Sequence, residues 1–563
     1  MLNNLKTFKR IDLIISVLIT VIVALTRIPF VSKFLYEWDS VSYAQAFQNF
    51  NIAQGQPQPP GYILFVALGK GVNYIFNDPN TSMVFLSVAF SILTSILIYF
   101  FVKQMFSRRI AIITSILLIF NPLFWFYGEI ASIYIFEAFF AVLIAYLSYN
   151  VLKGDGRYLY LSALVLGLAG GFRLDLVEFM FPLWVFSLWF SKTSFFKISK
   201  ALIVLIVAVL LWFIPTILLT GGLGQYLQLS AAQSTVSINT SILLGASLSS
   251  QLVNSGLALV WSLWGLTIFG IIMILLFLLY HHSGWRSKFI PYLKNPLSIF
   301  FILWIAPAFL FYLIIYVIKP GYILVYLPAL MIILGYIVNH LSHDLHITFP
   351  KISARSFLAT LLLIGIIVNS VIYFYPYNLH QGEIWETPQS ELDNSEKIFY
   401  EINAGILYNN QKIKANDQNT YLHIKTITNL SNSNPNNTII VIRDISREDE
   451  GFDFNKAMYY LPNYNVYYLL GSENSHITNN TVTVWHGQYN NYNITYAPVV
   501  DIPLNQSVKQ IIWVMSNQTN FYQEVQSQVG VQTISLPNGL NIYYSNIGSG
   551  PVNLQIGGYV FTR

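Results

Sequence analysis

The sequence predicts a polytopic α-helical membrane protein of about eleven transmembrane helices, followed by a C-terminal extracytoplasmic α/β domain. The chain of 563 residues is 55% hydrophobic and only 10% charged, whereas soluble proteins have about 25% charged residues. Its charge also changes sign near residue 375. Residues 1–375 hold 21 Lys and Arg against 10 Asp and Glu, and residues 376–563 hold 9 against 15. A cytosolic enzyme is excluded, and the lack of cysteine excludes disulfides and thiolate chemistry.

Apolar segments predict the transmembrane helices of residues 1–375. A helix needs about 20 apolar residues to cross the hydrocarbon of a bilayer. Candidate spans lie at residues 11–30, 82–102, 110–127, 133–151, 200–219, 254–280, 297–318, 321–339 and 355–375. The segment Tyr158–Phe190 is too short for two full crossings, so it predicts a helical hairpin whose tip is Phe172–Asp175.

Basic residues predict the orientation of the chain. Alternate connecting segments hold 16 Lys and Arg, namely Lys6, Lys9, Arg10, Lys103, Arg108, Arg109, Lys153, Arg157, Lys192, Lys197, Lys200, Arg286, Lys288, Lys294, Lys351 and Arg355. By the positive-inside rule these segments are cytoplasmic. We therefore expect a multi-pass protein of the cell (plasma) membrane with a cytoplasmic N-terminus and with residues 376–563 outside.

Acidic residues of the membrane part have the opposite distribution. Seven of the ten lie in predicted outer loops or inside apolar segments: Glu37, Asp39, Asp78, Glu129, Glu137, Asp175 and Glu178. Acids at membrane depth are costly and usually functional, so we expect the chemistry to face outward. Arg173 at the hairpin tip also needs a partner. It either forms a structural pair with Asp175 or Glu178, or serves the substrate.

The first outer segment, about residues 31–81, is long for a loop, and long structured loops are usually functional. Ser42–Phe50 and Tyr62–Phe76 have the apolar spacing of helices lying at the membrane interface, separated by a Pro- and Gly-rich turn at Gln54–Pro60. Glu37 and Asp39 precede them. Two such carboxylates can share a divalent cation such as Mg²⁺ or Mn²⁺, or one can act as a general base. The spacing leaves both roles open.

The external part, residues 376–563, predicts a small α/β domain. Strand-like segments are residues 437–445, 464–471, 481–487, 508–516 and 533–545, with helices at Phe454–Tyr460 and Asn520–Val529. An acidic run is either a solvated loop or a cation site: Asp444, Glu448, Asp449, Glu450 and Asp453. Eight N-x-S/T sequons fall on the predicted outer side: Asn80, Asn239, Asn429, Asn436, Asn479, Asn493, Asn505 and Asn517.

Several outer segments resemble the GT-C membrane glycosyltransferases, which include the protein O-mannosyltransferases and the lipid A aminoarabinose transferases. Trp38-Asp39-Ser40-Val41-x-Tyr43-Ala44 and Gln56–Tyr62 resemble their first external loop. Further resemblances are Phe124–Tyr134 to the second loop, Gly167–Asp175 with Phe181–Trp184 to the re-entrant hairpin, and Lys319–Tyr322 with Tyr326–Ala329 to a late outer loop. Two features depart from the pattern. Gln58 stands where many relatives have His, and the W-W-D-Y-G signature of oligosaccharyltransferases is missing.

The resemblance implies a GT-C-like catalytic module over residues 1–375 and an extracytoplasmic domain over 376–563. It implies an inverting transfer of a sugar from a polyprenyl- or dolichyl-phosphate donor to a hydroxyl of a glycan, lipid or protein. On this basis Asp39 is the candidate base, with Glu37 as helper or metal ligand. The candidate substrate-binding residues are Arg173, Lys319 and Lys70 for the phosphate, together with Tyr322, Glu129, Asp175, Gln58 and Tyr43.

Two other function classes fit a polytopic protein with an external domain. A flippase or transporter for lipid-linked glycans is the first, although transporters often contain internal repeats and a polar site near the bilayer midplane. Here the acids gather at the outer end, and we find no repeat. A non-catalytic protein of cell-surface glycan assembly is the second. The charge balance gives no case for nucleic-acid binding.

Overall fold

The chain forms two compact units in a computed structural model. The model describes residues 10–238, 241–281, 295–316, 318–348, 351–375, 408–430, 434–443, 452–470, 481–489, 491–515, 517 and 519–563. The first unit takes its residues from Met1–Val31, Pro59–Tyr375 and Ala404–Asn410, and the second from Ser32–Gln58, Pro376–Asn403 and Gln411–Arg563. Residues 32–58, which include Glu37 and Asp39, therefore belong to the same unit as the C-terminal part. The domain division at residue 375 stays a prediction.

Helices make up the N-terminal two-thirds of the chain, and all but α2 belong to the first unit. They are α1 (Arg10–Arg27), α2 (Trp38–Ala46), α3 (Ile63–Phe76), α4 (Pro79–Met105), α5 (Arg108–Ile119), α6 (Pro122–Tyr127), α7 (Tyr134–Leu152), α8 (Leu159–Phe172), α9 (Leu174–Phe190), α10 (Phe195–Leu219), α11 (Leu223–Ile238), α12 (Leu248–Tyr280), α13 (Pro296–Ile314), α14 (Leu327–Thr348) and α15 (Ala354–Phe374).

Seven of the described helices are long and apolar enough to cross a membrane: α1 with the turn that follows it, α4, α7, α10, α12, α13 and α15. The predicted class, a polytopic helical membrane protein with a C-terminal sheet domain, is thereby confirmed. The total of about eleven crossings stays a prediction. Helices α8 and α9 form the predicted hairpin, because the backbone is extended at Arg173 between them and the two helices pack against each other.

Some helices begin or break at other residues than the hydropathy pattern predicts. The predicted span 110–127 is two helices, α5 and α6, because Asn121 caps a new helix by accepting hydrogen bonds from the backbone N–H groups of Leu123 and Phe124. Pro122 follows at the first position of α6, where its missing N–H costs nothing. The first of the two helices predicted in the first outer segment begins at Trp38 rather than Ser42. Helix α11, which is largely polar, was not predicted.

The second unit contains two sheets. Its strands are β1 (Thr438–Arg443), β2 (Asn465–Leu470), β3 (Val482–Gln488), β4 (Asn491–Ala497), β5 (Val500–Pro503), β6 (Gln510–Val514), β7 (Gln532–Ser535), β8 (Asn541–Asn546), β9 (Asn553–Ile556) and β10 (Tyr559–Thr562). The larger sheet has the order β4-β3-β2-β1-β6-β8-β7, and the smaller has the order β5-β10-β9. Strand β1 pairs in parallel with both β2 and β6, and the outer pairs of the larger sheet are antiparallel.

Both faces of the larger sheet are buried at its centre, whereas its edge strands β4 and β7 are largely exposed. Successive side chains of a strand point to opposite faces; Ile439 and Val441 join one apolar cluster, and Ile440 and Ile442 join the other. The smaller sheet and helix α18 (Asn520–Gln528) pack on the first of these faces and contribute apolar side chains to its cluster. Helices α16 (Asn410–Asn429) and α17 (Phe454–Tyr460), with Trp38 of α2, pack on the second.

All five strand-like segments of the external part contain β-strands, and both predicted helices form, as α17 and α18. The α/β class of this domain is therefore confirmed. Helix α16 and strands β4, β5, β9 and β10 were not predicted. Of the acidic run only Asp453 lies among the described residues. It caps α17 by accepting a hydrogen bond from the backbone N–H of Lys456 at 2.7 Å.

Candidate functional site

The acidic pair of the first outer segment lies at the N-terminus of helix α2. Glu37 is the N-cap residue, and its carboxylate accepts a hydrogen bond from the backbone N–H of Ser40. The Ser40 hydroxyl in turn accepts from the backbone N–H of Glu37 at 3.2 Å. This reciprocal capping box satisfies two backbone donors that a helix start otherwise leaves unpaired. Glu37 is 8% exposed, so its carboxylate serves the start of the helix.

Asp39 lies in the first turn of the same helix and is partly exposed. The N-terminus of a helix carries a partial positive charge that favours a nearby carboxylate. One turn later Tyr43 is fully buried in the second unit. The geometry therefore gives the two acids different settings. Glu37 is enclosed by its cap, whereas Asp39 has a side chain that solvent or a substrate can reach.

Gln58 ends the stretch that the first outer segment contributes to the second unit. Its side chain is partly buried, and the Oε1 atom is enclosed without a hydrogen bond to any described residue. An enclosed amide oxygen without a donor is costly. Gln58 is thus suited to accept a hydrogen bond from a bound molecule, as its placement in the resemblance implies.

Arg173, at the hairpin tip in the first unit, is held by two carboxylates. Its Nη1 atom lies 2.6 Å from Oε1 of Glu137 on α7, and its Nε donates to Asp175 Oδ2 at 2.9 Å. The hydroxyl of Tyr312 on α13 donates to the same Asp175 oxygen at 3.0 Å. Helices α7, α9 and α13 thereby meet at the Arg173–Asp175 pair. The predicted pair with Asp175 forms, and Glu137 rather than Glu178 is the second acid.

Aromatic rings enclose this cluster. The Arg173 guanidinium lies 4.6 Å from the ring centroid of Tyr322 and 5.1 Å from that of Tyr134. Tyr322 also stacks on Tyr312, with centroids 4.9 Å apart. Cation–π contacts stabilise a guanidinium that has lost its water. Arg173, Asp175 and Tyr322, all predicted as substrate-binding residues, are therefore brought together.

The charge of the cluster limits what it can do. When all three groups are ionised, Arg173, Glu137 and Asp175 carry a formal charge of −1. The carboxylates hold the guanidinium in a fixed orientation, and a phosphate that approached Arg173 would also meet their negative charge. The contacts of Arg173 with Glu137 and Asp175 are those expected of a structural ion pair. A role towards phosphate stays a prediction.

Glu129 forms a separate cluster in the segment between α6 and α7. The Tyr373 hydroxyl donates a hydrogen bond to its Oε2 atom, and the Tyr373 ring stacks on Trp125 with centroids 4.5 Å apart. Burial raises the pKa of Glu129 to about 8, although the Tyr373 hydrogen bond opposes this shift. The charge of the buried Arg27 also lowers this pKa, so Glu129 is a buried acid that Tyr373 and Arg27 both influence.

The two predicted lysines differ in setting. Lys319 precedes a short 3-10 helix, Pro320–Val325, and its backbone oxygen accepts a hydrogen bond from the backbone N–H of Tyr322 at 3.0 Å. Its side chain is partly buried. Lys70 lies exposed on α3. Lys319 is therefore linked through its backbone to Tyr322, which contacts Arg173, whereas Lys70 lies on the exposed surface of α3.

A divalent cation fits the acidic pair poorly. The Glu37 carboxylate is engaged by the cap of α2, and no group of three His, Asp or Glu side chains suited to a metal ion occurs among the described residues. Two carboxylates are a weak set of ligands for an ion that prefers six or more oxygens, and one of the two already accepts a hydrogen bond from the backbone of α2. We therefore assign no step to a metal.

Some residues of these clusters could not be recognised as site residues from the sequence. Glu137 was recognised only as one of seven outward acids, and Tyr312 and Tyr373 gave no signal among many aromatics. Arg27, at the end of α1, is fully buried, and its Nη2 donates to the backbone oxygen of Ile119 at 2.5 Å. A basic residue just inside a predicted outer boundary was the signal that could have drawn attention to it.

Comparison with known proteins confirms the resemblance to GT-C enzymes. Residues 58–218 match the protein family described as dolichyl-phosphate-mannose-protein mannosyltransferase. No curated protein is a significant match to the sequence.

Solved structures with a similar fold include ArnT from Cupriavidus metallidurans in the apo state. The sequence identity is 10%, the match covers 96% of this chain and 99% of that one, and the TM-score is 0.51. The same protein bound to undecaprenyl phosphate matches with 11% identity, the same coverage and a TM-score of 0.48. An Archaeoglobus fulgidus oligosaccharyltransferase tethered to an acceptor peptide matches with 14% identity over 95% of this chain and 74% of that one, with a TM-score of 0.45.

Proposed function

We propose that this chain, which has the fold of the GT-C membrane glycosyltransferases, moves a sugar from a polyprenyl- or dolichyl-phosphate donor to an acceptor hydroxyl. The observation that carries the proposal is the position of Asp39. It lies partly exposed in the first turn of α2, on a helix start fixed by the Glu37–Ser40 capping box. The description of the matched family, which names dolichyl-phosphate-mannose, supports a lipid-phosphate donor.

In this proposal Asp39 is the general base. Its carboxylate takes the proton of the acceptor hydroxyl as the oxygen attacks the anomeric carbon. The bond from that carbon to the donor phosphate breaks, and the phosphate leaves with the electron pair and stays on the lipid. A single displacement inverts the anomeric centre. A lipid phosphate leaves as a stable anion, so no second acid is required.

Cationic groups would stabilise the phosphate as it leaves. We assign this role to Lys319 and Arg173, with Lys70 as an outer contact. Arg173 is already oriented by Glu137 and Asp175, so it can act without further loss of rotamer freedom. Its negative neighbours weaken its attraction for phosphate, which makes Lys319 the stronger candidate.

Glu129, Gln58 and Tyr322 would bind the sugar and the acceptor. The carboxyl group of Glu129 can form a hydrogen bond with a sugar hydroxyl, and the enclosed Oε1 of Gln58 can accept one. Tyr322 presents an aromatic face beside Arg173. Tyr43 supports α2 from within the core. We place the reaction on the outer face of the cell membrane, with a cytoplasmic N-terminus.

The donor class is tested with purified protein in lipid vesicles. Labelled polyprenyl-phosphate hexose and the matching nucleotide sugar are offered in parallel with cell-surface glycan, lipid and protein acceptors. We expect transfer from the lipid-linked donor alone, with the product anomer opposite to the donor anomer by NMR. Transfer from the nucleotide sugar alone, or retention of configuration, would refute the proposal. Movement of a lipid-linked glycan across the vesicle without transfer would identify a flippase instead.

A further inference from the structure

The acidic loop is attached to the external domain on both sides of its acidic pair. Residues 32–58 and 411–563 form one compact unit, although more than 350 residues separate them in the chain. Three places carry the attachment. They lie before the acidic pair at Ser32–Leu35, beside it at Trp38, and after it at Ser42–Gln54.

The strongest attachment is made by Asp417 on α16. Its Oδ1 accepts from the Ser32 hydroxyl at 3.0 Å and from the backbone N–H of Phe34 at 3.1 Å. Its Oδ2 accepts from the backbone N–H of Lys33 at 2.9 Å. One carboxylate thus satisfies three donors of an irregular segment, whose backbone N–H groups have no helix or strand to pair with.

The neighbouring residues continue the attachment. The backbone N–H of Leu35 donates to the Tyr460 hydroxyl of α17 at 2.8 Å, and the Tyr460 ring packs edge-on against Phe34 with centroids 5.4 Å apart. Leu35 itself is fully buried. Two residues later comes Glu37, so the chain that enters the capping box is fixed before it reaches the acidic pair.

The far side of the pair is held as well. The Trp38 ring packs edge-on against Trp485 of β3, with centroids 5.7 Å apart. The Asn455 side-chain amide donates to the Ser42 hydroxyl at 3.4 Å, and the Tyr492 backbone N–H donates to Gln54 Oε1 at 3.4 Å. The acidic pair therefore lies between fixed points contributed by α16, α17 and the sheet.

We propose that Asp417 of the external domain is a positioning residue, which holds the loop 32–36 and thereby places Asp39 for proton transfer. This inference rests on the proposed function. Asp417 touches no reacting atom in the scheme; it acts through the backbone of Ser32–Phe34. Burial raises the pKa of Asp417, whereas the backbone hydrogen bonds that Lys33 and Phe34 donate to its carboxylate lower it. The external domain is in this view part of the catalytic apparatus.

The test combines a structural readout with kinetics. Lys33 is exposed and is the only Lys or Arg between residues 32 and 58, so tryptic cleavage at Lys33–Phe34 reports release of the loop. The full-length protein in vesicles is compared as wild type, Asp417→Ala, Asp417→Asn and Tyr460→Phe. The matched control is Ser545→Ala, which removes the hydroxyl that accepts from the Trp513 indole at 3.0 Å in the sheet core.

We expect Asp417→Ala to accelerate cleavage at Lys33–Phe34 and to lower kcat about 10- to 100-fold, since small misplacements of a catalytic group have effects of this size. The KM for the donor should change by less than about twofold, because the loop variant alters placement rather than donor binding. Asp417→Asn keeps one acceptor oxygen and should recover part of kcat. Tyr460→Phe should have a smaller effect in the same direction, and Ser545→Ala should change neither readout.

Two results would overturn the proposal. The first is cleavage at Lys33–Phe34 in Asp417→Ala and Tyr460→Phe that equals the wild type. The second is a released loop with an unchanged kcat. If the wild type itself transfers no sugar, the proposed function fails and the catalytic role of Asp417 fails with it. An active wild type with a released loop and full kcat in the variants refutes only the positioning role.

Discussion

The two ends of helix α8 carry the same pair of residue types in opposite surroundings. At its start Arg157 pairs with Asp155, with 2.5 Å between Nη2 and Oδ2 and side chains 55% and 26% exposed. At its end Arg173 pairs with Asp175, with 2.9 Å between Nε and Oδ2 and side chains 10% and 20% exposed. Both pairs join an Arg to an Asp two residues away. Sequence spacing therefore predicts the pairing but not its importance.

The difference lies in the other partners. The Arg157–Asp155 pair faces solvent, where water screens the two charges and would hydrate each side chain equally well if the pair were broken. Arg173 has exchanged its water for Glu137, Asp175 and the ring of Tyr322. Removing one member of a desolvated cluster leaves the others uncompensated. We therefore expect large effects at one end of α8 and small effects at the other.

The largest effect is expected for Arg173→Gln. The change leaves Glu137 buried beside Asp175 without a cation, which should cost about 3–5 kcal/mol of folding free energy. Thermal unfolding in detergent should show a large decrease in Tm. The double variant Arg173→Gln/Glu137→Gln should recover part of that loss, because the second change removes the stranded charge. A decrease no larger than that of Arg157→Gln would contradict the comparison.

An intermediate effect is expected for Tyr312→Phe. The hydroxyl of Tyr312 donates to Asp175 at 3.0 Å, and a hydrogen bond to a charged group contributes about 1.5–3 kcal/mol. The ring remains, so its stacking on Tyr322 should persist. The control is Tyr280→Phe, which removes a hydroxyl that contacts Thr348 in an exposed position. Equal Tm values for the two variants would show that the Asp175 cluster gains nothing from its third donor.

The smallest effect is expected for Arg157→Gln. The Asp155 carboxylate stays hydrated when its exposed partner is removed, so Tm should be unchanged within error. Added salt should also change this Tm little, since an exposed ion pair contributes little to the free energy of unfolding in the first place. A decrease in Tm as large as that of Tyr312→Phe would show that exposure does not separate the two pairs.

Much of this architecture followed from short-range patterns. The α8–α9 hairpin was predictable because Tyr158–Phe190 is too short for two crossings and has basic residues on both flanks. The strands of the external part were predictable from alternating β-branched and aromatic residues. The candidate pair Arg173–Asp175 was predictable from spacing alone. Each of these features depends on residues close together in the chain.

The features that the sequence did not predict depend on contacts between residues far apart in the chain. Glu137 reaches Arg173 because α7 packs on α9, and Tyr312 reaches Asp175 because α13 packs on α9. No local pattern in the sequence determines which helices pack together. The same holds for Asp417, whose carboxylate oxygens accept hydrogen bonds from residues that lie 383 to 385 positions away in the chain. The role of Glu37 as a helix cap was masked by its place in an E-x-D pattern that also suits catalysis.

The most direct test of the account is the rate of sugar transfer by Asp39→Asn. The substitution keeps the size of the side chain but removes the base. The control Asp501→Asn neutralises an exposed carboxylate on β5 of the same unit. With polyprenyl-phosphate hexose and a saturating acceptor, we expect Asp39→Asn to lower kcat about 10²- to 10⁴-fold, with Tm and donor KM close to wild type, while Asp501→Asn matches wild type. Equal transfer by Asp39→Asn and Asp501→Asn would contradict the account.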